Sequence, residues 1–124
     1  MYELSQRFIF EAAHTLDRPR VGELEMQGSR NIHGHTYLAE VTVSGERDVG
    51  TGMVADLGVL RAAIEDVRRV LDHRFLDDVR ELGPATLENL CSFIAQHMKR
   101  GAFNVSAVRV WREASGDSCR LVLG

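Results

Sequence analysis

Three of the chain's five histidines sit where their spacing could do chemistry. His33 and His35 stand two apart in Asn31-Ile32-His33-Gly34-His35-Thr36-Tyr37, and His14 ends an alternating run upstream. In an extended chain, side chains two apart leave the same side, so both imidazoles face one way. A third imidazole from a neighbouring strand would complete a three-nitrogen set with one position open. That is the ligand count of a catalytic rather than a structural zinc, and neutral imidazole is a good ligand for it. Gly34, without a Cβ, would let backbone or ligand approach closely. The plain alternative is three polar strand-end residues satisfied by backbone or water, since His-x-His is a short motif.

Other candidates are carboxylates and a histidine in connectors. Asp72 and His73 are adjacent, which makes a direct hydrogen bond between them difficult and a helix-ending cap the simpler reading. Glu113 follows the apolar run Val108 to Trp111 and then Arg112. It is either an edge charge or an acceptor for paired N–H donors. Thr86 and Glu88 fit the start of a helix.

These residues need elements to position them. Residues 2 to 11 alternate, with Tyr2, Leu4, Phe8 and Phe10 on one face, predicting a strand whose end delivers His14. Residues 15 to 31 contain Pro19, Gly22 and Gly28 without a period, predicting a long functional loop. Residues 33 to 44 predict a second strand with Tyr37, Ala39, Val41 and Val43 on the histidine face. Asp56 then caps a helix whose stripe is Leu57, Leu60, Ile64, Val67 and Leu71. A connector from Leu71 to Pro84 carries Asp72 and His73. Thr86 caps a second helix with Leu87, Leu90, Cys91, Ile94 and Met98 inward, stopped at Gly101. Ala107 to Glu113 and Cys119 to Leu123 pair as a hairpin around Ser115-Gly116-Asp117. The order ββααββ predicts an α+β domain, a four-stranded antiparallel sheet with two helices on one face. Its other face keeps apolar residues that a closed oligomer would cover.

Length and composition bound the rest. The chain has 124 residues, enough for one domain over 1–124 with a modest core. A net charge of −3 argues against a nucleic-acid partner. No apolar run is long enough for a bilayer, and Tyr2-Glu3-Leu4 does not resemble a secretory leader, so a cytoplasmic location is expected. Cys91 and Cys119 are too few for a disulfide scaffold.

Five segments in order carry a family resemblance: Phe10-Glu11-Ala12-Ala13-His14, His33-Gly34-His35-Thr36-Tyr37, Gly52-Met53-Val54-Ala55-Asp56, Leu71-Asp72-His73-Arg74-Phe75-Leu76 and Pro84-Ala85-Thr86-Leu87-Glu88-Asn89. From Phe8 to about Glu113 the chain resembles the 6-pyruvoyl-tetrahydropterin synthase family, closest to its 6-carboxytetrahydropterin synthase branch of the queuosine pathway. The resemblance implies the tunnelling fold, with sheets joined into a barrel and trimers paired as homo-hexamers. It implies Zn2+ on His14, His33 and His35, and a small dihydropterin as substrate. It gives His73 acid–base work with Asp72 as its carboxylate partner, and makes Glu113 the pterin anchor, with Thr86 and Glu88 beside the substrate. The implied reaction converts 7,8-dihydroneopterin triphosphate to 6-carboxytetrahydropterin, with loss of acetaldehyde and triphosphate.

One position departs from that pattern. Synthases of the family carry a proton-transferring cysteine four residues before His-Gly-His, where this chain has Ser29. A thiol near pKa 8.5 can be tuned to a thiolate; a serine hydroxyl cannot be ionised that way. A neighbouring histidine could activate Ser29, or Glu23, Glu25 or zinc-bound water could replace it as base. Some relatives use a glutamate three residues before His-Gly-His, where Arg30 stands here. Altered chemistry, such as dihydroneopterin side-chain cleavage, and a non-catalytic pterin- or purine-binding oligomer both remain open.

Overall fold

The computed structural model describes residues 1–18 and 21–124. Strand β1 (Tyr2–His14) pairs antiparallel with β2 (His33–Gly45) along its whole length, from Tyr2 opposite Gly45 to His14 opposite His33. The predicted alternation holds: Phe8, Phe10, Ala12 and His14 are buried, while Arg7, Ile9 and Glu11 face out. Phe10 stacks on its cross-strand partner Tyr37 with centroids 5.0 Å apart. Such a pair contributes about 0.5–1.5 kcal/mol beyond its buried area.

The connection between these strands, read in sequence as loop, contains helix α1 (Glu23–Arg30). Its sequence hid it because only Ser29 is buried and Leu24 is 85% exposed, leaving no apolar stripe to find. Gly22 and Gly28 also argue locally against a helix. Glu23 and Glu25 in its first turn and Arg30 in its last suit the helix dipole.

Helix α2 (Leu57–Leu71) starts where expected, with the Asp56 carboxylate accepting from Val59 N–H at 3.1 Å. Leu60, Ile64, Val67 and Leu71 are buried; Leu57, at the first turn, is half out. Each such burial contributes about 1.5–3 kcal/mol before chain entropy is counted. The Leu71–Pro84 connector is more structured than predicted. Its strand β3 (Arg74–Phe75) lies parallel to β1 opposite Ala12 and Ala13, and a 3₁₀ turn (Leu76–Asp78) follows. A two-residue strand offers no alternation to read.

Helix α3 (Leu87–Lys99) is capped by Thr86, whose hydroxyl accepts from Asn89 N–H at 3.1 Å. Strands β4 (Val105–Arg112) and β5 (Asp117–Val122) form the expected hairpin, and β4 pairs with β2 through a bulge at Thr42/Val43. The predicted four-stranded antiparallel sheet with two helices is therefore, among the described residues, a five-stranded mixed sheet and three helices. The strand order is β3-β1-β2-β4-β5.

One core joins the inward residues of β1, β2 and β4 to α2 and α3, so these helices share one sheet face. On the other face Trp111 is 5% exposed, covered by the guanidinium groups of Arg109 and Arg7 at 4.2 and 5.5 Å from its ring. Among the described residues no helix is long and apolar enough to cross a membrane.

Candidate functional site

Register builds the histidine cluster. Residues opposite each other in an antiparallel pair project to the same face, and His14 lies opposite His33 where β1 ends and β2 begins. His35 follows two residues along. The three rings pack edge to face with centroids 4.5–5.0 Å apart, and one ligand atom from each lies within 4.8 Å of the others.

The tautomers follow from hydrogen bonds. His14 Nδ1 donates to the Ala85 carbonyl at 2.9 Å, and His33 Nδ1 to the Asn31 carbonyl at 2.8 Å. Their Nε2 atoms are left with lone pairs. His35 Nε2 lies 3.1 Å from His14 Nε2 and accepts from Arg112 Nη1 at 3.2 Å. The single lone pair of His35 Nε2 faces Arg112 here, and an ion shared with His14 would take that guanidinium's place. Carbonyls that orient the far ring nitrogen are also the usual support for metal-bound imidazole. These residues therefore fit a metal ion. Burial lowers the pKa of His14, and burial with the Arg112 charge takes His35 down to about 4. Both shifts favour the neutral imidazole, the form that binds metal.

A cavity of about 580 Å³ opens beside the cluster. Of the residues predicted as functional, it gathers His14, His33, His35, Ser29, Thr86 and Glu88. Ser29 is 8% exposed and projects from α1, its hydroxyl accepting from Arg18 Nη1 at 3.3 Å. Arg18 also holds Glu25 at 3.3 Å, and neither Glu23 nor Glu25 lines the cavity. The Thr86 hydroxyl is engaged in its helix cap. At Gly34 an added Cβ would meet only the Ala12 carbonyl, at 3.6 Å, so nothing within the chain demands glycine there.

The cavity also holds residues that motif reading passed over. Arg112 ends β4 on its inward face, with Nη2 donating to Asp117 at 2.7 Å. Its Nε and the Tyr37 hydroxyl are buried with no hydrogen-bond partner among the described residues. The signal was available: after Val108 and Val110 the inward alternation of β4 falls on an arginine. A charge on the core side of a strand calls for a reason.

Asp72 and His73 do approach each other, with His73 Nδ1 2.9 Å from Asp72 Oδ2, an ion-pair distance between neighbours. His73 has φ +57°, and this left-handed turn folds the ring back onto the preceding carboxylate. Asp72 Oδ1 accepts from Glu11 N–H at 2.9 Å, and Arg68 approaches Oδ2 at 3.2 Å. The Glu11 N–H foremost, then His73 and Arg68, hold the Asp72 carboxyl below the usual range. His73 is 76% exposed and faces a second pocket with Glu11, Gly34 and Thr36, outside the histidine cavity. Glu113 lies outside both, accepting from Trp111 Nε1 at 3.0 Å. His35 lines that second pocket as well, so the metal set and the Asp72–His73 pair border neighbouring pockets, while no single cavity of one chain gathers them all with Glu113.

Residues 3–121 match the sequence pattern of a family described as 6-pyruvoyl tetrahydropterin synthase. The chain belongs to this family. Among curated relatives, the 6-pyruvoyl tetrahydrobiopterin synthase of Drosophila melanogaster is 40% identical over 106 residues, which are 77% of this chain and 63% of that one. A 6-carboxy-5,6,7,8-tetrahydropterin synthase of Synechocystis sp. is 34% identical over 99 residues, 76% of this chain and 72% of that one. The chain thus spans somewhat under two thirds of the Drosophila protein. In fold it is similar to the solved 6-pyruvoyl tetrahydropterin synthase of Caenorhabditis elegans. That likeness has a TM-score of 0.82 at 24% identity and covers 99% of this chain and 96% of that one. The resemblance read from the five motifs thus holds for the synthase family as a whole.

Proposed function

We propose that this chain is a zinc-dependent pterin lyase of the 6-carboxytetrahydropterin synthase type, acting on 7,8-dihydroneopterin triphosphate in the cytoplasm, within the queuosine pathway. The observation that carries it is the convergent lone-pair set of His14, His33 and His35 at the wall of a polar cavity. Those three residues would hold the ion, which when bound supplies Lewis acidity toward substrate side-chain oxygens. Arg112, anchored by Asp117, offers a second positive charge in the same cavity. His73 moves protons while Asp72 fixes its tautomer, and Glu113 grips the amino-pyrimidinone edge of the pterin.

No single cavity of one chain gathers all of these groups, which favours a site completed by a second copy. Beyond Ala12 and Ala13, the outer edge of β1 has no strand partner among the described residues, and β5 is the opposite sheet edge. Pairing such edges between copies closes sheets into a barrel. A homo-hexamer, as the resemblance implies, would supply those contacts.

Ser29 favours a second reading. Its hydroxyl is an acceptor for a guanidinium, with no imidazole bonded to it among the described residues, so nothing there activates it as a base. Altered chemistry on a related dihydropterin, such as dihydroneopterin side-chain cleavage, or pterin binding without turnover, fits that arrangement. The test is turnover of dihydroneopterin triphosphate and of dihydroneopterin by the wild type beside Ser29→Cys. Release of triphosphate and acetaldehyde by the wild type supports the first reading. Turnover of neither compound without the cysteine, alongside saturable pterin binding, supports the non-catalytic form of the second.

A further inference from the structure

We propose that the groove between the C-terminal ends of α2 and α3 is a second ligand site, built for a small polyphosphate anion. The groove encloses about 830 Å³ and shares no residue with the histidine cavity. Arg69, Arg74, Arg80 and Arg100 converge on it against only two carboxylates, Asp78 and Glu81. This is a strong local excess in a chain of net charge −3.

The internal pairing leaves that excess largely available. Arg100 meets Glu81 at 3.5 Å, the edge of a useful contact, and Arg69 is shared with Glu65 and Asp66 of its own helix at 3.9 and 3.6 Å. No carboxylate lies within 4.0 Å of Arg74 or Arg80 among the described residues, whereas Arg68 and Arg112 are paired at 3.2 and 2.7 Å. Among those residues Arg74 donates only to the Arg69 carbonyl, at 3.4 Å, and guanidinium groups so loosely held suit phosphate oxygens, which their planar fork engages two at a time.

Two further features belong to this groove. His73 and Glu81, the two non-glycine residues with positive φ among those described, both line it, at +57° and +71°. Backbone held in that region persists where surrounding structure enforces it, and such places concentrate at ligand sites. The floor is aromatic: Phe93 is 3% exposed and packs against His97 with ring centroids 4.2 Å apart and planes tilted by 38°. His97 Nδ1 is bonded to the Phe93 carbonyl at 3.1 Å, which leaves Nε2 as its remaining polar atom. The flat apolar floor could also take a ring attached to the phosphates. Inorganic tripolyphosphate and a nucleoside triphosphate therefore share the required chemistry. The proposal needs neither the metal nor Ser29, although His73, the proton-moving group of the pterin reading, stands at the edge of the groove.

The test is calorimetric titration of the intact protein with inorganic tripolyphosphate, and in a second arm with ATP. The expected result is saturable binding that weakens as salt is raised and falls by about tenfold or more in Arg80→Ala/Arg100→Ala. Both side chains are exposed, so the variant should keep the wild-type melting temperature. Arg47→Ala, at a different cavity, should bind as wild type does. ATP binding more tightly than tripolyphosphate would identify a nucleotide as the ligand, and equal affinities would identify the phosphate chain alone. Because tripolyphosphate chelates zinc, the titration is repeated on His33→Ala/His35→Ala, which should retain it. No binding, an unchanged affinity in Arg80→Ala/Arg100→Ala, an equal loss in Arg47→Ala, or loss in the histidine variant would each overturn the proposal.

Discussion

His14, His33 and His35 were legible because strand geometry alone sends a two-residue spacing to one side, and their convergence needed only the right register. The proposed metal site predicts one zinc per chain, with His33→Ala/His35→Ala losing it; elemental analysis of purified protein measures both, and unchanged zinc in the variant would refute the assignment. Glu113 gives a separate test of the pterin anchor. A hydrogen bond to a charged group contributes roughly 1.5–3 kcal/mol, so Glu113→Ala should weaken binding of a non-reactive pterin such as biopterin by about tenfold to a hundredfold. Zinc content should not change, and titration calorimetry decides the matter: equal affinities would mean that Glu113 serves only Trp111. Arg112 was passed over although its inward place in the β4 alternation was there to read; only its contact with His35 needed β2 and β4 side by side. It stands one step beyond the Leu38–Trp111 pair and reaches His35 from the neighbouring strand.

Among the elements, the two long strands and the helices α2 and α3 were readable from period and cap together. The Asp56 and Thr86 caps lie where the sequence puts them. Helix α1 and strand β3 were not readable, for opposite reasons. Helix α1 buries too little to leave a stripe, and β3 is too short to alternate. Both owe their existence to neighbours: the Ser29 carbonyl accepts from Leu16 N–H at 2.6 Å, and β3 is held by the parallel pairing with β1. Asp72 ties the end of α2 to β1, and its depressed pKa fixes a pH dependence. Its contribution is complete above the unfolded carboxylate value, about 3.9, and is lost as pH falls through the lower folded value. Asp72→Asn should therefore melt lower than wild type at neutral pH, by about 1–2 kcal/mol of stability. The gap should narrow in acid, and parallel thermal melts at a series of pH values would show it; a gap independent of pH would rule out the carboxylate as its source.

For the molecule as a whole, the proposed chemistry favours assembly, because no single cavity of one chain gathers His14, His33, His73 and Glu113. Light scattering at micromolar concentration should give a closed oligomer, six chains by the reading offered above, and a monomeric mass would contradict it. The path of the chain has a consequence of its own. Between His14 and His33 the described residues from Thr15 to Ile32 lie outside the sheet. The strand ends that carry the candidate ligands are therefore the ends most prone to fray. An ion held by His14 on one side and by His33 and His35 on the other would act as a removable staple across the mouth of that excursion, restricting its freedom as a cross-link does. Stripping the ion should then speed amide hydrogen exchange at Ala12, Ala13 and Thr36 while leaving the distant Leu4–Val43 pairing protected, so that metal content can be read from the rate at which one end of the sheet breathes.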